Sequence, residues 1–143
     1  MAHLEVGEVA LPLDDTFTIR IPGHRVVQDE AYVLYNIQLS LDQYSWTVER
    51  RYSEFLAFDK LRFPDRNKSF LPRKKIRGNL DAEFISERQL ELQRYLKTVV
   101  EHEIYYQKKN QSTSLPLLIA QFLDFHQYVS LLYRHTREYG RKD

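Results

Sequence analysis

Two neighbouring segments of this sequence alternate apolar and polar side chains with a period of two, and this pattern limits the folds that the chain can adopt. Residues 45–51 place Trp46 and Val48 on one face and polar side chains on the other. The preceding segment shows the same alternation in its apolar residues Tyr35, Ile37, Leu39 and Leu41. This period is typical of half-buried β-strands, and the stretch 42–44 is short enough for a turn. The two segments therefore predict a β-hairpin.

An earlier segment predicts a third strand. Residues 16–21 alternate Phe17, Ile19 and Ile21 with polar side chains, and Pro22 then interrupts the pattern. Proline breaks or turns a strand because it cannot donate a ladder hydrogen bond. We predict three antiparallel strands in a β-meander.

From residue 53 the apolar period becomes helical. Ser53 is a good N-cap, and Pro64 would stop the first helix. Asp81 can cap a longer helix. The apolar face of that helix consists of Ile85, Leu92, Leu96 and Val99. Residues 115–125 predict a last apolar helix with Pro116 in its first turn. The predicted fold class is α+β, a three-stranded antiparallel β-meander packed against a helical subdomain of three to four helices.

The length of 143 residues suits one domain. We expect an N-terminal extension over residues 1–15, the domain over 16–125 and a helical or flexible basic tail over 126–143. The sequence has no run of ~18 apolar residues that could span a bilayer, and it lacks the basic start and apolar stretch of a signal peptide. We therefore expect a cytoplasmic protein.

The residue types that carry most enzyme chemistry are absent or scattered. With no cysteine, the chain has no thiol nucleophile, disulfide or cysteine-ligated zinc site. Its five histidines lack ligand spacing, and its four glycines are isolated, which excludes a glycine-rich phosphate loop. We expect no enzyme activity, no metal site and no cofactor.

Basic residues are concentrated in one part of the chain. Residues 50–77 contain ten lysines and arginines against three acidic residues, whereas the remainder holds 11 basic and 17 acidic residues. A loop over residues 67–79 contains four of these cations within residues 73–77. Such a run indicates a phosphate contact, although a solvated loop and a nucleic-acid patch show the same pattern. The acidic surplus elsewhere disfavours nucleic acid as a partner.

Arg88 occupies an unusual position on the predicted long helix. It lies three residues after Ile85 and four before Leu92, which places it on or beside the buried stripe. An isolated buried guanidinium is prohibitively costly, so Arg88 must meet a carboxylate, extend to solvent, or line a pocket that receives an anion. The position alone leaves all three alternatives open.

Arg50 and Arg51 end the third predicted strand, where consecutive side chains face opposite sides of the sheet. Only one of the two can therefore point toward the helices. The helix expected to begin at Ser53 has free backbone N–H groups in its first turn, which would favour an anion beside Arg51 or Tyr52.

Three ordered motifs resemble those of one family. Residues 50–55, RRYSEF, resemble the arginine-aromatic signature at the strand–helix junction of phox-homology (PX) domains, the phosphoinositide-binding modules of sorting nexins and related proteins. Residues 71–74, LPRK, are similar to the family's proline-containing loop, which ends in lysine. Residues 84–88, FISER, are similar to the helix that supplies a further arginine. The resemblance covers residues 16–125.

The resemblance implies a site for phosphatidylinositol 3-phosphate. Arg51 would bind the 3-phosphate, and Lys74 would contact the 1-phosphate. Tyr52 would pack its ring beneath the inositol, and Arg88 would hydrogen-bond the 4- and 5-hydroxyls. We expect the anionic membrane surface to be contacted by Arg73, Lys75, Ile76, Arg77 and Leu80. The protein would then be peripheral on early endosome membranes.

A second function stays open, in which a module of the PX fold binds another protein. The tail carries an apolar strip that would suit a protein partner, formed by Tyr128, Leu131, Leu132 and Tyr133. This partner could coexist with lipid binding.

Overall fold

The computed structural model describes residues 7–66, 70–73 and 80–140, with side chains to residue 137. It contains five strands and four helices within these ranges. The strands are β1 (Glu8–Ala10), β2 (Thr18–Val27), β3 (Tyr32–Leu41), β4 (Tyr44–Arg51) and β5 (Ser114–Pro116). The helices are α1 (Tyr52–Arg62), α2 (Ala82–Asn110), α3 (Leu117–Phe122) and α4 (Phe125–Gly140). No helix in the described ranges is long and apolar enough to cross a membrane.

Strands β2, β3 and β4 form the antiparallel meander that the alternation predicted. Ile37 of β3 lies opposite Val48, and Leu39 lies opposite Trp46. These side chains share the face that packs against the helices, and Ile37 and Leu39 have no exposed surface. The expected α+β fold class is confirmed.

Pro22 interrupts the pairing of β2 with β3, where the register shifts between Arg20 and Gly23. The neighbouring backbone groups find side-chain partners on α2. The N–H of Ile21 donates to Oε1 of Gln93 at 2.7 Å, and its carbonyl accepts from Nε2 of Gln89 at 3.1 Å. Because these bonds satisfy groups that the bulge removes from the ladder, they fix the long helix against the edge of the sheet.

The N-cap of the first helix lies two residues earlier than the sequence suggested. This N-cap is Arg51 rather than Ser53, because the strand runs directly into the helix and the Arg51 backbone is still extended. Oε1 of Glu54 accepts the Arg51 N–H at 2.9 Å, which is one half of a capping box. Arg51 and Tyr52 are therefore held at the strand–helix boundary itself.

The prediction of one helix over residues 115–125 was wrong. Ser114–Pro116 forms β5, which pairs with β1, and only Leu117–Phe122 is helical before α4 begins. Asp124 separates the two helices in the left-handed conformation, with φ of 48°. The pairing joins segments far apart in sequence, so local periodicity could not show it.

Residues before the expected domain start also contribute to the core. Leu11 and Leu13 are buried. The buried Gln107 accepts a hydrogen bond from the Leu13 N–H at 2.7 Å and donates to the Leu11 carbonyl at 3.0 Å. These contacts tie the N-terminal segment to the end of α2. The boundaries at residues 15 and 125 stay a prediction.

Candidate functional site

The two consecutive arginines at the end of β4 have different surroundings. Arg50 donates from Nε to the Phe122 carbonyl at 3.0 Å and from Nη2 to the Gln121 carbonyl at 3.3 Å. Its guanidinium also lies over the Phe122 ring, 5.4 Å from the centroid. Arg50 therefore satisfies carbonyls at the end of α3, where cations are favoured.

Arg51 lies on the opposite face and contacts a different aromatic residue. Its guanidinium carbon is 4.0 Å from the ring centroid of Tyr32. Within the described ranges, neither the hydrogen bonds nor the ion pairs include the Arg51 guanidinium. The in-plane N–H groups of this half-buried cation therefore have no protein acceptor there.

Arg88 is buried on α2, with 5% of its surface exposed. Its guanidinium lies 3.8 Å from the ring centroid of Tyr52 and 4.4 Å from that of Phe84. Nη2 donates to the Arg73 carbonyl at 2.6 Å. Nε is buried and has no acceptor, and Arg88 forms no ion pair within the part of the chain that the structure describes.

Within the described residues, Arg88 neither pairs with a carboxylate nor extends to solvent. Of the three alternatives that the sequence left open, a pocket that receives an anion remains. Burial lowers the pKa of Arg88, and the proximity of Tyr35 and Tyr52 acts in the opposite direction. A guanidinium remains charged at physiological pH even so. Arg88 is a largely desolvated cation whose buried Nε has no acceptor in the described residues.

Tyr52 connects these elements to the start of the basic loop. Its hydroxyl donates to the Pro72 carbonyl, next to the Arg73 carbonyl that accepts from Arg88. Burial raises the pKa of Tyr52, although the nearby Arg88 lowers it in part. The consecutive carbonyls of Pro72 and Arg73 therefore accept hydrogen bonds from side chains of α1 and α2. These two bonds fix the position of the loop up to residue 73.

The structure brings Arg88 and Tyr52 into contact, and the Arg73 carbonyl accepts a hydrogen bond from Arg88. Arg51 is next to Tyr52 in the chain, but its guanidinium contacts Tyr32 instead. Arg73 and Leu80 are exposed. The remaining predicted contacts, Lys74, Lys75, Ile76 and Arg77, lie outside the described residues.

Sequence reasoning missed two aromatic residues of this site. Phe84 precedes Arg88 by four positions on one helix, and that spacing alone could have indicated the contact. Tyr32 contacts Arg51 through the register of β3 and β4, which the amino-acid pattern did not fix. The described residues contain no cluster of three or more histidines and acidic residues that could hold a metal ion.

The strip expected on the tail does not form one exposed surface. Tyr128 is buried, and its ring packs against Trp46 and Phe125. Leu131 and Leu132 are half-buried, and Tyr133 is exposed. The first turns of α4 therefore belong to the domain core.

The fold is a small α+β module, a three-stranded meander with arginine–aromatic contacts at its strand–helix junction. Over residues 39–126 the sequence matches the PX domain family. This match covers more than half of the chain, which therefore belongs to the PX domain family. It is a phosphoinositide-binding, membrane-targeting module that associates peripherally with membranes.

Individual relatives agree with this assignment. The chain is 33% identical over 140 residues to the PX domain-containing protein kinase-like protein of Mus musculus, an alignment that covers 90% of this chain and 21% of the relative. It is 35% identical over 95 residues to sorting nexin-16 of Mus musculus, covering 63% of this chain and 28% of that protein. The chain thus spans well under a third of these relatives' length.

A solved structure agrees at the level of the fold. The X-ray structure of a designed CISK-PX domain superposes with a TM-score of 0.58 at 24% sequence identity. The superposition covers 74% of this chain and 97% of that domain.

Proposed function

We propose that this module recognises phosphatidylinositol 3-phosphate and recruits its protein to early endosome membranes. The observation that carries the proposal is Arg88, a guanidinium that is 5% exposed and has a buried Nε without an acceptor in the described residues. A desolvated donor of this kind is costly unless a ligand oxygen satisfies it. Vicinal hydroxyls of an inositol ring are acceptors that a planar guanidinium can reach in pairs.

Arg51 is proposed to bind the 3-phosphate. Its guanidinium carbon lies over the Tyr32 ring, and its N–H groups have no acceptor in the described chain. The first turn of α1 begins at the next residue, so backbone N–H groups add positive potential beside it. A phosphomonoester is the acceptor that best matches a guanidinium fork next to a helix N-terminus.

Tyr52 is proposed to contact the inositol ring. The Arg88 guanidinium already lies over the Tyr52 ring, so the inositol would pack beside this pair and hydrogen-bond Arg88 in the same plane. Lys74 is proposed to contact the 1-phosphate as a point charge near the lipid surface. The tethered carbonyls of Pro72 and Arg73 support this role, since Lys74 follows them directly in the chain.

We propose that the loop that follows Pro72 contacts the membrane surface itself. The contacting residues would be Arg73, Lys75, Ile76, Arg77 and Leu80. Each cation near an anionic leaflet contributes about 1 kcal/mol. Arg73 and Leu80 are exposed, which leaves both available for such contacts.

Vesicle pelleting tests this proposal. Wild-type protein and the variants Arg51→Ala and Arg134→Ala would be mixed with vesicles that contain each phosphoinositide in turn, or phosphatidylserine alone. Arg134 is an exposed arginine on α4 and serves as a charge-matched control. A lost charge-assisted bond is worth about 1.5–3 kcal/mol, so Arg51→Ala should weaken binding roughly ten- to a hundredfold. Arg134→Ala should bind as wild type does.

Two results would reject the headgroup site. One is binding to phosphatidylinositol 3-phosphate no stronger than to phosphatidylserine vesicles. The other is wild-type affinity in Arg51→Ala. Preference for a headgroup with a second phosphate would retain the site and reject the proposed lipid.

A protein partner on the C-terminal helix is a second proposal, and it rests on two exposed side chains. Val129 is 47% exposed and Tyr133 is 66% exposed, and their spacing of four residues places them on one side of α4. Such a partner would contact these residues rather than the buried Tyr128.

A further inference from the structure

Tyr32 lies at the start of β3, on the same face of the sheet as Arg51. Leu34 is directly opposite Arg51 in the register, and Tyr32 is two residues before Leu34, so its side chain points the same way. This diagonal placement is within reach of long and aromatic side chains, and it brings the ring centroid to 4.0 Å from the guanidinium carbon.

The stack fixes the guanidinium and leaves its donors available. The guanidinium carbon lies over the ring of Tyr32, and no guanidinium N–H of Arg51 bonds to an acceptor in the described residues. Arginine otherwise has a long stem with many rotamers. Tyr32 therefore restricts where the Arg51 donors lie without competing for them.

An ion pair between Arg25 and Glu49 lies next to the contact of Arg51 with Tyr32. Glu49 precedes Arg51 by two residues on the same face of β4, so its carboxylate is a potential competitor for the guanidinium. Both Glu49 oxygens instead accept from Arg25 of β2, at 2.7 Å from Nε and 2.9 Å from Nη2. The hydrogen bond from Arg25 lowers the pKa of Glu49. The Glu49 carboxylate is thus already bonded to Arg25.

The geometry points to Tyr32 as a positioning residue for the phosphate-binding arginine, with Arg25 keeping the acidic neighbour engaged. This inference rests on the proposed headgroup site and adds to it the residue that orients Arg51. The ligand class is a phosphomonoester, and Tyr32 itself need not touch it.

The test measures the affinity of a soluble short-chain phosphatidylinositol 3-phosphate by calorimetry for wild type, Tyr32→Phe, Tyr32→Leu, Arg51→Ala and the double variant. Tyr32→Phe retains the ring and should bind as wild type does. Tyr32→Leu should bind about three- to tenfold more weakly, in keeping with the range for a cation–π contact. In the Arg51→Ala background the same change should have no further effect, because the contact is already absent.

A purely structural role for Tyr32 would give a different pattern. It would lower the thermal midpoint of Tyr32→Leu and weaken binding in the Arg51→Ala background as well. Tyr44→Leu is the matched control, since Tyr44 is at the other end of β4 and packs on Tyr128. That variant should change stability and leave the affinity within about twofold. The NMR shift of the Arg51 Nε–H should move in Tyr32→Leu and stay in Tyr44→Leu.

The outcomes separate the two claims. If Arg51→Ala binds as wild type does, the proposed headgroup site fails. If Arg51→Ala is weak but Tyr32→Leu is unaffected, the site stands and the positioning role of Tyr32 is wrong.

Discussion

The guanidinium of Arg88 lies 3.8 Å from the ring centroid of Tyr52, so a buried cation of the long helix and a ring at the strand–helix junction form one unit. The contact with the ring and the bond to the Arg73 carbonyl offset part of the cost of burying this cation. Neither interaction uses Nε. The buried Nε therefore lacks an acceptor in the described residues, and we propose that a ligand oxygen satisfies it.

Replacing Arg88 should separate stability from binding. In Arg88→Met a flexible apolar side chain replaces a desolvated cation, and replacement of buried charge by apolar groups is often neutral or stabilising. We expect the free energy of unfolding, measured with urea, to fall by less than about 1 kcal/mol or to rise, while headgroup binding weakens at least about tenfold. A loss of stability above about 3 kcal/mol would indicate that Arg88 belongs to a buried ion pair instead.

Buried tyrosines should make the domain sensitive to alkali. Burial raises the pKa of Tyr35 to about 12, and burial with the hydrogen bond to Asp59 raises that of Tyr95 further. The folded state therefore keeps protons that the unfolded chain loses above its ordinary tyrosine pKa of about 10. The stabilisation is complete below pH 10 and is lost as the pH rises toward 12.

Urea unfolding at pH 9 to 11.5 measures this loss. Each tyrosine contributes a slope of up to about 1.4 kcal/mol per pH unit, and Tyr35→Phe should remove one such contribution. Tyr105→Phe is the control, because Tyr105 is 61% exposed. Identical slopes in wild type and Tyr35→Phe would contradict the prediction.

The sheet and the long helix could be predicted from the sequence because their signals are local. Ile37 and Trp46 sit in clean alternation, and Ile85 to Val99 follow one helical stripe. Arg88 could be singled out for the same reason, since a charge within an apolar stripe conflicts with a local rule. The partners of Arg88 could not be predicted, because Arg73 and Tyr52 approach Arg88 only after the helices pack.

The N-terminal strand is the clearest case of a feature that local pattern did not reveal. Glu8–Ala10 is three residues long and gains its stability from pairing with Ser114–Pro116 at the other end of the chain. A three-residue segment has too few residues to show a period. The same pairing places residues 115–116 in a strand, although the sequence predicted a helix over residues 115–125.

Removal of residues 1–13 should destabilise the domain, although the expected boundary places them outside it. The deletion exposes the surface that Leu11 and Leu13 cover and leaves the buried Gln107 without its bonds to them. We expect a loss of about 3 kcal/mol or more in the free energy of unfolding, from two buried leucines and an unsatisfied amide. Removal of residues 1–6 retains these contacts and is the control. Equal stability of the two truncated forms would support the boundary at residue 15.

Arg73 and Arg51 should respond differently to salt. The Arg73 side chain is exposed, so its attraction to an anionic leaflet is screened with a Debye length of about 10 Å at 0.1 M salt. Arg51 is half-buried and stacked on Tyr32, so its proposed direct bond to a phosphate is screened less. Arg73→Ala should weaken binding to vesicles with phosphatidylinositol 3-phosphate about fivefold at 50 mM salt, and this effect should vanish at 500 mM. Arg51→Ala should remain at least about tenfold weaker than wild type at both concentrations. Equal salt dependence of the two variants would mean that Arg51 acts only through its charge. The proposed membrane contact would then stand, and the proposed direct bond of Arg51 to the 3-phosphate would be wrong.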